Sequence, residues 1–167
     1  MRDDLSVVIL AGGKATRFPG KLDAMIEGEK LLARVQRNLR DAGPIVLAVR
    51  DRIPEKGPLG GLYSAALDVR TRLIFAAAGD APNLGTEVVD ALLAAMQPQD
   101  EAVVPEHDGY IEPLAALYDR EAVVREVPHL LAGNELSMRA LLARLAVRRV
   151  ALDARHFFNV NTPEDLV

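Results

Sequence analysis

"VVILAGGKATRFPGK", Val7 to Lys21, sets the reading of this chain. An unbroken apolar run ends abruptly in two glycines, and the chain then lays down Lys14, Arg17 and Lys21. A strand apolar on both faces belongs at the centre of a sheet covered on either side. Its ending asks for another explanation. Glycines let a backbone approach a ligand closely, and successive N–H groups form a cradle for phosphate oxygens. Arg17 as a planar fork and Lys21 as a point charge would neutralise a triphosphate. The loop lacks the Gly-Lys-Ser/Thr of a Walker A loop, and "GGKATRFPG" does not carry Gly-x-Gly-x-x-Gly. On the loop alone, a glycine turn with solvated basic residues is an equal alternative.

Outward from that stretch the pattern alternates. Leu5 to Leu10 reads as a strand, Lys30 to Ala42 as a helix stopped by Gly43-Pro44, and Ile45 to Val49 as a second strand. Leu59 to Val69 resumes helical spacing, Leu73 to Ala78 is a third strand, and Thr86 to Met96 is a helix that Thr86 can cap. Further on, Glu101 to Pro105 and Ile111 to Tyr118 read as strands. Glu121 to Leu131 reads as a helix interrupted at Pro128. Leu136 to Leu145 reads as an amphipathic helix with an exposed basic face, and Val147 to Leu152 as a strand. Thr162-Pro163 opens a last helix, with Glu164 and Asp165 at its positive end. Strand-helix alternation predicts right-handed crossovers and a three-layer α/β/α sandwich around a mostly parallel sheet.

The bulk composition narrows the function classes. A chain of 167 residues is expected to form one domain spanning 1–167. A net charge of −4 argues against a broad nucleic-acid face, which needs clustered positive charge. Cysteine is absent, which excludes disulfides, thiolate metal sites and cysteine nucleophiles. Apolar runs are strand-sized and no signal-peptide pattern opens the chain, so a cytoplasmic protein without a membrane partner is expected.

In open parallel sheets, ligands bind beyond the carboxyl ends of the strands. The loops there are Ala11–Gly20, Arg50–Gly57 and Gly79–Leu84, the segments with the least core-like composition. In "LIFAAAGDAPNL" a lone carboxylate, Asp80, follows a buried strand. Magnesium often takes only one or two protein carboxylates beside substrate phosphates, and Asp80 suits that role as well as it suits a turn. Between the two loops, "DRIPEKGPLGGLYSAAL" has a Gly57-Pro58 turn, and Gly60-Gly61 open a helix without side chains that would block a flat ring. Asp51, or else Glu55, would accept from the N1–H and amine of guanine; close helix packing is the other account of the glycines. At the C-terminus, an extended Phe157–Asn161 would put Asn159 and Asn161 on one side and Val160 on the other. His107, His129 and His156 show no metal-ligand spacing and read as surface or satisfied histidines. Arg139 or Arg144 would be within reach of an anionic group without the spacing demanding it.

"LAGGKATRFPGK", "GPLGG", "GDAP", "EPLAALY" and "FFNVNTPEDL" occur in this order along nearly the whole chain. In that order they resemble the molybdenum cofactor guanylyltransferase family, the MobA type, within the nucleotidyltransferases. The resemblance implies a Rossmann-like fold, GTP and molybdopterin or Mo-molybdopterin as substrates, Mg²⁺ as cofactor, and molybdopterin guanine dinucleotide and pyrophosphate as products. It implies nucleotide contacts at Leu10, Ala11, Gly12, Gly13, Gly57 and Pro58, phosphate binding at Lys21 beside Arg17, magnesium at Asp80 and guanine reading at Asp51. Asn159 and Asn161 match a pair on the molybdopterin side. Arg17, Lys21 and Asp80 are thereby the expected catalytic residues. Transient contacts with proteins that supply or receive the cofactor would accompany such a role. The stretch from Arg17 to Lys21 is shorter than usual in that family, with Phe18-Pro19 where Met-Gly is typical. A relative using CTP or another phosphorylated acceptor, and a nucleotide-binding module without catalysis, are the alternatives.

Overall fold

The computed structural model describes residues 2–11, 20–48 and 56–166. Expectations resting on Gly12, Gly13, Lys14, Arg17, Asp51 and Glu55 lie outside the described residues.

Side chains alternate across a strand, and in the first one, β1 (Leu5–Leu10), both alternating sets are buried. Leu5, Val7 and Ile9 join Val35 and Leu39 of α1 (Leu31–Leu39) and Val88, Val89 and Leu92 of α3 (Thr86–Ala95). Val8 joins Leu59 and Leu62 of α2 (Gly57–Asp68) and Val123 and Val127 of α4 (Arg120–Ala132) on the opposite face. One continuously apolar strand therefore builds two cores, and the layers follow as α/β/α. Burying each large aliphatic or aromatic side chain contributes about 1.5–3 kcal/mol, so the sheet centre is the most strongly held part of the chain.

The strands that complete the sheet are β4 (Ile45–Ala48), β5 (Leu73–Ala78), β6 (Ala102–His107), β7 (Tyr110–Ile111), β8 (Ala115–Asp119) and β9 (Val147–Ala151). β2 (Met25–Ile26) and β3 (Glu29–Lys30) form a separate small hairpin ahead of α1. The order is β4-β1-β5-β8-β6, with β7 and β9 paired to β6. β1, β4, β5, β6 and β9 run one way, against β7 and β8. The mostly parallel sheet expected from the sequence is present, with an antiparallel strand inserted between β5 and β6. The chain leaves β1 for β4 on one flank and returns to β5 on the other, so strand order reverses at β1, where open sheets form a ligand crevice.

Four local expectations are corrected. Ile111 to Tyr118 is not one strand: Asp108 and Gly109, at φ 50° and 79°, turn a tight hairpin into β7. The chain then leaves the ladder at Glu112–Leu114, where Pro113 has no N–H to donate, before β8 begins. Pro128 does not interrupt α4; it sits on the exposed face, while buried Ala122, Val123, Val127 and Leu130 hold the helix on either side of the missing bond. Gly85, not Thr86, occupies the N-cap of α3. The helix expected over Leu136 to Leu145 shrinks to α5 (Met138–Leu142), started by Ser137, whose Oγ accepts from the Ala140 N–H at 3.0 Å.

Candidate active site

β1 and β5 pair in register along their whole length, so Leu10 and Ala78 finish side by side. The Gly79 N–H donates to the Leu10 carbonyl at 3.3 Å. A Cβ on Gly79 would lie 3.4 Å from the Leu10 oxygen and 3.5 Å from Leu22 Cδ2, both ordinary contacts. Leu10 and Ala11 are half-buried at this rim. Gly57 and Pro58 are exposed and open α2 without a side-chain cap; Gly57 has φ +60°, a conformation that favours glycine.

Gly20, at φ 71°, turns the chain into a short 3₁₀ segment, Lys21–Asp23. From there Lys21 Nζ donates to Asp80 Oδ2 at 2.6 Å, and reaches the Val160 carbonyl at 3.4 Å. The backbone of Val160 returns the contact, its N–H donating to the Asp80 carbonyl at 2.8 Å. Three segments far apart in sequence thus meet around Asp80. The Lys21 and Asp80 side chains are 23% and 18% exposed, low enough to sharpen the attraction and open enough to meet a ligand.

Beside this pair lies a hollow of about 310 Å³, walled in part by Asp80, Ala81, Leu84, Glu112, Phe157 and the two asparagines Asn159 and Asn161. Val160 is fully buried while both asparagines line the hollow, the alternation expected from the sequence, but Phe157 closes a 3₁₀ turn, Ala154–Phe157, so the stretch expected to be extended from Phe157 begins only after it. The turn that follows is held differently from expectation. Pro163–Leu166 is a 3₁₀ turn rather than a longer helix. Asp165 Oδ2 accepts from the N–H groups of Asn161 and Thr162, both at 2.9 Å. Those two donors keep the Asp165 carboxyl below its ordinary range, the Asn161 N–H foremost.

Of the sequence-derived site residues that are described, Lys21, Asp80, Asn159 and Asn161 are brought together, with Leu10 and Ala11 on the rim. Arg139 is exposed, and Arg144 is engaged with Glu126 at 2.7 Å; neither lines the hollow.

Sequence reasoning passed over several residues at this hollow. Glu112 lines it, with Oε1 2.6 Å from His107 Nε2. That hydrogen bond is the main reason the His107 imidazole is pushed above its ordinary value of 6.5, against the opposing effect of burial. His107 also stacks on Phe157, ring centroids 5.1 Å apart at an interplanar angle of 9°. His156 lines the hollow too, Nδ1 3.3 Å from Glu87 Oε1. Each of these two histidines meets a carboxylate, but the expectation of satisfied histidines fails at His107, whose Nδ1 is buried without a hydrogen-bond partner, Asp108 Oδ2 lying 3.5 Å away. His156 lines the hollow, His107 stands behind Glu112, and His129 is exposed. The available signal was a Glu immediately before a strand-breaking Pro in "EPLAALY", since that pair marks a carboxylate at a strand entrance. The fully buried Tyr118 hydroxyl donates to the Pro113 carbonyl at 2.6 Å and pins the same wall, with burial pushing its phenol pKa up.

The profile of a family described as MobA-like NTP transferase domain matches residues 7–150. A probable molybdenum cofactor guanylyltransferase from Bacillus licheniformis is 38% identical, over 95% of this chain and 93% of its own. Another so described, from Mycolicibacterium paratuberculosis, is 35% identical over 97% of this chain and 93% of its own. Among solved structures, molybdopterin-guanine dinucleotide biosynthesis protein A from Archaeoglobus fulgidus superposes with a TM-score of 0.73 at 24% identity, covering 96% of this chain and 94% of its own. A 2-C-methyl-D-erythritol 4-phosphate cytidylyltransferase from Thermus thermophilus gives 0.71 at 15% identity, covering 95% and 94%. At these identities the structural likenesses speak for the shared fold.

Proposed function

Because this chain belongs to the family of MobA-like NTP transferase domains, we propose that it transfers GMP from GTP to molybdopterin or Mo-molybdopterin, yielding molybdopterin guanine dinucleotide and pyrophosphate. The observation that carries the reading is the 2.6 Å approach of Lys21 to Asp80 at the β1–β5 crevice, beside a hollow that both asparagines face.

A terminal phosphate oxygen of the acceptor attacks the α-phosphorus of GTP in line. The bond from that phosphorus to the bridging oxygen breaks, and pyrophosphate leaves with the electron pair. The protein's work is positioning and charge neutralisation. The backbone at Leu10 and Ala11, continued through Gly12 and Gly13, cradles the phosphates; Arg17 and Lys21 neutralise charge gathering on the leaving pyrophosphate. Gly57 and Pro58 border the base and Asp51 accepts its N–H groups. Asn159 and Asn161 orient the acceptor.

Mg²⁺ fits the donor set. Among the described residues no group of three or more acidic or histidine side chains could hold a metal ion. Magnesium does not require one, since a single carboxylate, phosphate oxygens and water complete its octahedron. Asp80 already carries a cation against Oδ2, the Lys21 ammonium, and is the residue that would hold the ion. Bound there, Mg²⁺ supplies charge neutralisation on the triphosphate.

The test is pyrophosphate release and dinucleotide formation, read by mass spectrometry, from molybdopterin with GTP or with CTP in the presence of Mg²⁺. GTP is expected to be the far better donor, because an aspartate reading guanine leaves unpaired groups against cytosine. Equal use of CTP would overturn the guanine assignment. Nucleotide binding without pyrophosphate release would reduce the protein to a binding module.

A further inference from the structure

The hollow lies on a particular side of Asp80. In the order β4-β1-β5-β8-β6, the phosphate loop follows β1 on one flank of β5, and the Glu112 wall precedes β8 on the other. A nucleotide on the β1 side leaves the β8 side for the acceptor. The lining of that side is chemically mixed. Near Asp80 stand Lys21 and the asparagines, suited to a phosphate. The lining also includes Leu84, Met138 and Phe157, apolar surface suited to a ring, and a second carboxylate besides Asp80, that of Glu112.

Glu112 is held from several directions. Its N–H donates to the Pro105 carbonyl at 3.0 Å, and its own carbonyl accepts from the Ala115 N–H at 3.2 Å. Tyr118 fixes the next residue, Pro113, at 2.6 Å. His107 holds Oε1 at 2.6 Å, and His107 is itself clamped flat against Phe157. Among the described residues no other hydrogen bond reaches the Glu112 carboxylate, so Oε2 is unclaimed by any of them. A carboxylate fixed this firmly, with acceptor capacity left over and an apolar floor beside it, is built to receive N–H groups and repels phosphate.

We infer that Glu112, oriented by His107, reads the 2-amino-4-oxopyrimidine edge of the acceptor's bicyclic ring and so selects a pterin over other phosphorylated acceptors. That edge presents an N–H and an NH₂ side by side, which one carboxylate accepts together. The inference rests on the transferase reading above and adds to it the residue that recognises the ring. Glu112 is the specificity residue; His107 does not line the cavity and acts through Glu112 as a positioning residue.

The experiment uses the intact protein with GTP and Mg²⁺ and two fluorescent probes, pterin and its 2-oxo counterpart lumazine, titrated by anisotropy, with acceptor KM and kcat measured in parallel. The wild type is expected to prefer pterin by about 10-fold to 100-fold, the range of a charge-assisted hydrogen bond lost. Glu112→Gln, nearly isosteric, abolishes the preference and raises acceptor KM by a similar factor, with GTP affinity and kcat within about twofold of wild type. His107→Gln, whose amide still donates to Glu112, retains most of the preference, while His107→Leu loses it. Unchanged GTP affinity by calorimetry certifies that each variant is folded. If the wild type turns over molybdopterin but Glu112→Gln keeps the probe preference and the acceptor KM, this inference is overturned and the transferase reading stands. A wild type that does not distinguish the probes overturns it as well. No turnover of molybdopterin by the wild type sinks the transferase reading itself.

Discussion

Replacing Asp80 by Asn separates a working carboxylate from a structural one. The backbone contact that ties the C-terminal segment to this position, Val160 N–H to the residue 80 carbonyl at 2.8 Å, is untouched by the change. The amide oxygen of Asn can still accept from Lys21, so what is lost is one charge in a pair whose side chains are 23% and 18% exposed. Half-open pairs of this kind contribute about 1 kcal/mol or less to folding. For a chain of 167 residues that is a melting shift of about 2–4 °C at most. Catalysis has more at stake. Removing one preorganised electrostatic contact to a developing charge costs about 10²-fold to 10³-fold in kcat.

The nucleotide affinities carry a sharper signature. Without Mg²⁺, Asp80 is an anion facing a triphosphate, so Asp80→Asn should bind GTP at least as tightly as wild type. With Mg²⁺ the order reverses, because the variant has lost its metal carboxylate. Calorimetric titration of GTP with and without Mg²⁺, beside pyrophosphate-release kinetics and a thermal melt, reads all three. Near-normal turnover in Mg²⁺, or the same order of affinities in both conditions, refutes the metal role; a melting loss of 10 °C or so would show that the pair is chiefly structural.

Tyr118→Phe removes the buried hydroxyl that donates to the half-buried Pro113 carbonyl and should cost about 1–2 kcal/mol, seen as a lower urea midpoint with unchanged slope. The His107 imidazole is raised above its ordinary 6.5, chiefly by Glu112 and also by Asp108, so the stability it contributes is full below the unfolded value. That contribution fades as pH rises through the higher folded value. Urea melts of wild type and His107→Gln should therefore differ most near about pH 6 and converge by about pH 9, and a gap that widens with pH would contradict the pairing. Asn159→Ala and Asn161→Ala should each raise the acceptor KM by about 5-fold to 30-fold while leaving GTP affinity alone. Weakened GTP binding instead would move the asparagines to the nucleotide side.

What could be read from the sequence was what neighbours along the chain decide. Continuously apolar runs announced β1 and β5, and helical spacing announced α1, α2 and α3, because burial on two faces or on one leaves different periods. The alternation of Asn159, Val160 and Asn161 followed from the two-residue period of an extended chain. The glycine-basic loop and the solitary Asp80 advertised themselves by departing from core composition at strand ends. Local expectation failed where a distant partner set the outcome: Pro128 stayed helical because buried neighbours held it, and Pro113 ended a strand that composition alone would have continued.

Only the tertiary structure decided which of these pieces share a site. Lys21 meets the Val160 carbonyl across 139 positions of sequence, and no local preference encodes that distance. The antiparallel insertion of β8 between β5 and β6 placed Glu112 at the hollow beside Asp80, and the hairpin at Asp108-Gly109 folded His107 back onto Glu112. Strand and helix arise from steric and periodic constraints felt within a few residues. Pairing order arises from the burial of whole faces against one another, which depends on the entire chain at once.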